Sequence, residues 1–309
     1  MKYFSILFLG LSLNIQAQDP LFTNSQQSLI ALNPSFAGTN GLLRFQSNTR
    51  NQWYSISNTF QTYYNSIDAY IKPIKGGVAV AYTRDDQARG TLITDKIDIS
   101  YAQHFSLLNE KLKIIPSVQV SYFRKTLDNT KLNFGDQIDP RRGYVWSEFR
   151  LPAKQYKSNI DLSAGLIVNY NHFYLGSSIF HITQPDEGIL GPSKLPYRIN
   201  VFTSYNLTLG EKVLLNALVR FESQQNFTNT YFNLNALFLK HIIISSGITS
   251  DGAINVFGGY RNNYFTISGG YEFGTSKLTG PTAGTYEISA SFNLRNKENR
   301  KLVKDFERW

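Results

Sequence analysis

Asn159-Ile160-Asp161-Leu162-Ser163-Ala164-Gly165-Leu166-Ile167-Val168-Asn169-Tyr170 is the stretch that decides the fold of this chain. Ile160, Leu162, Ala164, Leu166, Val168 and Tyr170 fall at one parity, and Asn159, Asp161, Ser163, Gly165, Ile167 and Asn169 at the other. Successive side chains of a strand point to opposite faces, so the stretch reads as a half-buried strand with one greasy face and one mostly polar face. It is long enough to cross a bilayer when tilted.

Working outward, the same rule predicts strands near Leu42–Gln52, Thr59–Ile71, Gly77–Arg84, Lys96–Phe105, Lys113–Arg124, Asn159–Tyr170 and Phe173–Thr183. It continues through Tyr197–Leu209, Val213–Glu222, Thr230–Phe238, Ile242–Thr249, Ala253–Tyr260, Tyr264–Phe273 and Thr285–Asn293. That makes an all-β chain whose fourteen strands suit a transmembrane antiparallel β-barrel with short periplasmic turns and longer extracellular loops. The connections Lys72–Gly76, Ser106–Leu112, Asn171-His172, Gly210–Lys212, Leu239–His241 and Arg261–Asn263 are short. Those expected on the other side include the longer Asp85–Asp95, Lys125–Ser158, Gln184–Pro196, Ser223–Asn229 and Gly274–Gly284. A soluble sandwich has no reason to sort loop lengths by parity. Charged residues opposite the greasy faces, Asp161, Arg220 and Glu222 among them, are expected in the lumen, and aromatics at strand ends, such as Tyr101, Phe123, Tyr170, Phe173, Tyr231 and Tyr264, in two interfacial girdles.

The ends read differently. Residues 1–17, with Lys2, an apolar run and Ile15-Gln16-Ala17, read as a signal peptide cleaved after Ala17, since the run is too short for a membrane helix. Residues 18–40, with Asn33-Pro34 and Gly38, read as a periplasmic or lumen-entering lead-in to a barrel over 41–293. Residues 294–309 form a basic tail, expected in the periplasm, with Arg300, Lys301 and Lys304 at its centre. Cysteine is absent from the 309 residues, which removes disulfides, thiolate metal sites and thiol nucleophiles. The net charge of +9 would suit nucleic acid, but an exported chain rarely meets it, so outer-membrane lipid and glycolipid or an acidic partner fit better.

No catalytic constellation stands up: G-x-S-x-G, H-E-x-x-H, a P-loop and C-x-x-C are all missing. His104, His172, His181 and His241 are dispersed, as turn or interface residues are, and no metal or cofactor is expected. Asp85-Asp86 and Asp136–Asp139 read as solvated loop acids, with calcium as the lesser reading. The 34-residue loop Lys125–Ser158 is too long to be a mere connector. Its Phe134, Asp136, Asp139, Arg141, Arg142 and Trp146 suit a partner-binding surface, with an inward plug as the alternative.

Gln18-Asp19-Pro20, Leu32-Asn33-Pro34-Ser35-Phe36-Ala37-Gly38 and Arg50-Asn51-Gln52-Trp53 resemble the opening of the PorP/SprF family of type IX secretion outer-membrane proteins. Lys131–Asp139 resembles that family's long-loop motif, and Gly269–Phe273 with Gly284–Ile288 resembles its ending, with Tyr271-Glu272-Phe273 a departure from the family's usual residues. The resemblance covers essentially the whole mature chain. It implies a non-enzymatic component of the type IX machinery of Bacteroidota, supporting secretion or surface attachment of particular adhesins that carry a type IX C-terminal signal, some used in gliding. It also implies contact with periplasmic ring components. A passive porin or small-solute channel is the alternative function.

Overall fold

The computed structural model describes residues 19–20, 22–41, 43–56, 60–132, 138–139, 141–144, 152–274 and 283–294. Among them fourteen long strands form one antiparallel sheet: β1 Leu43–Gln52, β2 Phe60–Ile71, β3 Gly76–Gln87, β4 Leu92–Gln103, β5 Leu112–Asp128, β6 Lys154–Tyr170 and β7 Phe173–Phe180. They continue as β8 Arg198–Leu209, β9 Val213–Gln224, β10 Phe227–Phe238, β11 Ile242–Thr249, β12 Ile254–Arg261, β13 Phe265–Phe273 and β14 Thr285–Leu294. Each strand pairs with its sequence neighbours. Closure comes from β1 against β14, from Leu43 opposite Leu294 to Gln52 opposite Thr285, so no edge is left to bind another chain. No helix among the described residues is long and apolar enough to cross a membrane.

The deciding stretch behaves as its alternation requires. On β6, Ile160, Leu162, Leu166 and Tyr170 are exposed on the outside of the barrel, while Asp161, Ser163, Ile167 and Asn169 are buried inside. The pattern recurs on β4, where Ile97 and Ile99 face out and Asp98 and Ser100 face in, and on β9, where Val219 and Phe221 face out and Arg220 and Glu222 face in. We call the end that carries both β1's start and β14's finish proximal, and the opposite end distal. Exposed Phe105, Tyr170, Phe173, Tyr205, Tyr260, Tyr264 and Phe292 mark a proximal aromatic ring. Phe123 and Tyr231 are corrections to the girdle expectation: both are buried in the lumen.

Two connections also differ from expectation. Strand β3 runs to Gln87 and β4 starts at Leu92, leaving a tight turn with Ala88, Arg89 and Gly90 at positive φ in place of a long loop. Strands β9 and β10 meet across Gln225-Asn226. Polar residues at those strand ends, including Asp85, Asp86 and Ser223, looked like loop because they pair above the greasy band. The extreme case is β5 with β6, which pair in register over seventeen residues each, from Leu112 opposite Tyr170 to Asp128 opposite Lys154. At about 3.3 Å per residue such a hairpin outreaches an apolar band of about 25 Å, even when tilted. The loop read as Lys125–Ser158 is therefore shorter, lying between Asp128 and Lys154.

Inside the barrel lies the segment from Phe22 to Gly41, with a single short helix, Leu29–Leu32, between 3-10 turns at Ser25–Gln27 and Pro34–Phe36. Gly38 has φ +71° and its chain rides directly over Gly77 of β3, where a Cβ would overlap the Ala37 carbonyl. Gly77→Ala should therefore cost about 2–3 kcal/mol, in the range of overpacked cores. Gly258→Ala, on a site with open space around it, should be near neutral. Thermal unfolding of the detergent-solubilised protein, followed by circular dichroism, compares the two.

Candidate functional site

The lumen is built around that inner segment, which we call the plug. It enters at the distal end, where the backbone N–H of Asp19 donates to Gln224 (3.1 Å), and leaves at the proximal end, where Asn40 donates to Asn293 (2.9 Å). Along the way its apolar residues Leu29, Ile30, Leu32, Phe36 and Ala37 pack against lumen-facing Ala79, Ala102, Ile115, Ile167, Tyr174, Phe202 and Leu218 on β3 to β9. Phe36 stacks on Phe202 with ring centres 5.7 Å apart. Full burial of a side chain such as Phe36 contributes about 1.5–3 kcal/mol. Ile167, the apolar intruder on the polar face of the deciding stretch, is one of the wall residues that receives the plug.

Wall side chains bind the irregular backbone of the plug. Asn200 and Ser178 donate to the Leu32 carbonyl at 2.9 and 3.1 Å, Asn48 to that of Gln27 at 2.6 Å, and Arg220 to that of Phe22 at 3.2 Å. Two ion-pair clamps hold its ends. Proximally, Arg44 and Asp68 stand opposite each other on β1 and β2 and pair through two bonds of 2.8 and 3.1 Å. Arg44 also donates to the Phe36 carbonyl (3.1 Å), and Asp68 accepts the Gly38 N–H (2.8 Å). Distally, Arg50 lies between Glu287 and Glu272 and donates to the Thr23 hydroxyl (2.7 Å), while Glu287 accepts the N–H groups of Thr23 (2.8 Å) and Asn24 (3.1 Å).

Above the plug opens a distal vestibule of about 100 Å³. Its floor is Phe22, Ile30, Tyr64, Phe123 and Phe180, and its walls carry Lys96, Lys125, Asp98, Glu187, Arg198 and Glu222. The charges are mutually paired, Lys96 with Asp98 at 3.3 Å and Lys125 with Glu187 at 2.9 Å. At the rim His181 places one ring nitrogen 2.6 Å from Asp161 and the other 2.6 Å from Asp19, which lies 3.5 Å from Arg198. With both nitrogens donating to carboxylates the imidazole is held as a cation and has no free lone pair to act as a base. The loop between β7 and β8 is built over the rim by Asp186. Its carboxylate pairs with Lys157 and accepts the N–H groups of Ser193 (2.7 Å) and Gly188 (3.1 Å), contacts that hold it at about 2, below the ordinary carboxylate range.

Of the residues read as partner-binding, Arg141 and Arg142 are exposed at a short hairpin in which Ile138-Asp139 pairs with Gly143-Tyr144. The backbone of Asp139 is in that hairpin; Phe134, Asp136, Trp146, Arg300, Lys301 and Lys304 lie outside the described residues. Asp85 is a correction to the loop reading: it is a lumen residue of β3 hydrogen-bonded to Thr62 and Gln87, each at 2.8 Å. Sequence reasoning missed Arg44, Asp68, Arg50 and Glu287 as anchors. Their signal was the charge at inward parity on strands that pair in register.

The sequence model of a family described as type IX secretion system membrane protein PorP/SprF matches residues 14–292. No curated protein sequence matches the chain. Among solved structures, the CymD monoaromatic hydrocarbon channel is similar with a TM-score of 0.54 at 11% identity, over 87% of this chain and 93% of that one. The toluene transporter TbuX of Ralstonia pickettii gives 0.50 at 11% identity, over 86% and 92%. At such identities the likeness is one of fold.

Glu287→Ala should destabilise the barrel by about 3 kcal/mol, the low end for stripping a partner from a buried charge, because Glu272 still faces Arg50. Unfolding midpoints check this. For Asp186 the folded-state value is depressed, so its contribution is complete above the unfolded carboxylate value of about 3.9 and fades as pH falls through about 2. Amide exchange at Gly188 and Ser193 should stay protected down to about pH 4 and lose protection towards pH 2, a step absent from Asp186→Asn.

Proposed function

The chain belongs to the PorP/SprF family of type IX secretion system membrane proteins, and from that premise we propose that it supports the secretion or surface attachment of particular adhesin-like cargo, without itself being the cargo's conduit. One observation carries this reading: the plug fills the lumen from Asp19 at the distal end to Asn40 at the proximal end. A polypeptide has no room beside it. The work of an outer-membrane component of the secretion system then falls to its surfaces.

In this reading the distal end faces outwards and its tall β5–β6 hairpin, with the loop between them, engages a secreted surface protein bearing a type IX C-terminal signal. Phe134, Asp136, Asp139, Arg141, Arg142 and Trp146 supply the contact. The basic tail around Arg300, Lys301 and Lys304 meets periplasmic ring components of the machinery. Residues 1–17 are removed as a signal peptide. The protein performs no reaction: its best-placed histidine, His181, has both nitrogens committed to carboxylates.

Deleting the gene should remove one or a few adhesins from the surface proteome and spare other type IX cargo; an unchanged surface proteome would overturn the reading. Replacing Arg300, Lys301 and Lys304 with Glu should weaken co-purification with ring components while the barrel remains in the outer membrane. Recovery undiminished at moderate salt would remove the tail from the account.

A further inference from the structure

The two halves of the lumen differ in kind. Against β3 to β9 the plug makes the dry apolar contact described above. Against β9 to β14 and β1 the wall is polar: Asn216, Asn235, Ser245, Asn255 and Asn293, with Gln46 on β1, are all buried, alongside the charged Arg44, Arg50, Arg220, Glu222 and Glu287. Among the described residues, Gln46 Oε1, Asn48 Oδ1, Ser245 Oγ and Asn255 Nδ2 on this side have no hydrogen-bond partner, and neither have Ser66 Oγ, Ser163 Oγ and Asn200 Oδ1 elsewhere on the wall. Buried polar groups of native proteins are satisfied, so the lumen wall has places for water or a polar molecule, and on this side they border open space.

Open space lies on both sides of this wall. A proximal cavity of about 90 Å³ is lined by Gln26, Arg44, Gln46, Asn216, Arg261 and Asn293. A distal one of about 280 Å³ is lined by Arg198, Glu222, Gln224, Tyr231 and Asp251. Inward-facing Tyr231, Asn233 and Asn235 of β10 lead from one to the other, and between them the plug residues Thr23–Gln26 press against Asn233, Asn235, Leu218 and Phe257. The septum is therefore made by the first part of the plug. That part has one apolar anchor, Phe22, buried edge-on against Tyr64 beside Ala81, and is otherwise held by polar contacts: Asp19 to His181, Thr23 and Asn24 to Glu287, and the Phe22 carbonyl to Arg220, whose guanidinium stacks 3.8 Å above Tyr231.

We propose that Asp19 and residues 22–28 are a gate across a path for small polar solutes, which runs along β9–β14 from one end of the barrel to the other. The docked part of the plug, 29–38, remains in place and excludes anything larger. Amides and hydroxyls line the path together with Arg44 and Arg261 at its proximal end and Arg198, Glu222 and Asp251 at its distal end. Paired charges flank the septum, where release of the arm leaves Arg50 with Glu272 and Glu287, and Arg220 with Glu222.

The test uses the full-length protein in planar bilayers and, with glucose as the probe, in liposome swelling. Asp19→Ala, Phe22→Ala and Thr23→Gly together weaken the arm without touching the barrel wall. Conductance and glucose entry should rise roughly tenfold or more over the parent, the change in open population expected from losing one charge-assisted contact. Adding Asn24→Cys and Asn233→Cys to that variant should close the path on oxidation and reopen it on reduction, with no native cysteine to interfere. The proposal fails if the arm variant, with native sheet content and thermal midpoint, passes no more than the parent. It fails equally if oxidised and reduced forms of the cysteine variant conduct alike.

Discussion

A peptide inside a membrane-spanning barrel must satisfy its backbone without the bulk water that loops elsewhere enjoy, and the rest of this structure depends on how that is done. The plug has one four-residue helix and two 3-10 turns, too little to bond internally. Its carbonyls at Phe22, Gln27, Leu32, Phe36 and Ala37 are taken by Arg220, Asn48, Asn200 with Ser178, Arg44 and His104. Its N–H groups at Thr23, Asn24 and Gly38 go to Glu287 and Asp68. The polar residues of the lumen are thus not a generic wet lining. Many are bespoke partners for one piece of chain.

This explains an otherwise awkward economy. Arg44, Asp68, Arg50 and Glu287 are buried charges, each costly alone. Paired across adjacent strands and also bonded to plug backbone, they hold wall to wall and wall to plug with the same atoms. The apolar contact adds bulk adhesion but little direction; the clamps fix where along the axis the plug sits.

The membrane barrel was legible because alternation is enforced at every position: a strand with lipid outside has no freedom in which parity is greasy. The plug was legible only as one of two readings of residues 18–40, periplasmic or lumen-entering, because its rule is tertiary. Nothing local to Leu29–Leu32 announces that Tyr174 and Phe202 await it, and wall hydrophobes such as Ile167 and Leu218 read as lapses in a polar face. The segment Leu32–Gly38, quoted for its family resemblance, lies at the centre of the plug, with Asn33 against β6 and β7 and Gly38 against Asp68. Turns at Ala88–Thr91 and Gln225-Asn226 were obscured for the opposite reason. Once strands rise past the bilayer, the hydrophobic face that identifies them ends while the hydrogen bonds go on.

The position of the clamps bears on how the barrel is assembled. Closing β1 onto β14 joins segments more than 200 residues apart, the strand pairing with the greatest loop-closure cost among the described residues. Arg44 and Arg50 lie on β1, Glu287 and Asn293 on β14, so the plug bridges the two strands of that seam. Seating the plug and closing the seam therefore draw on the same side chains, so a lesion at either clamp loosens both at once.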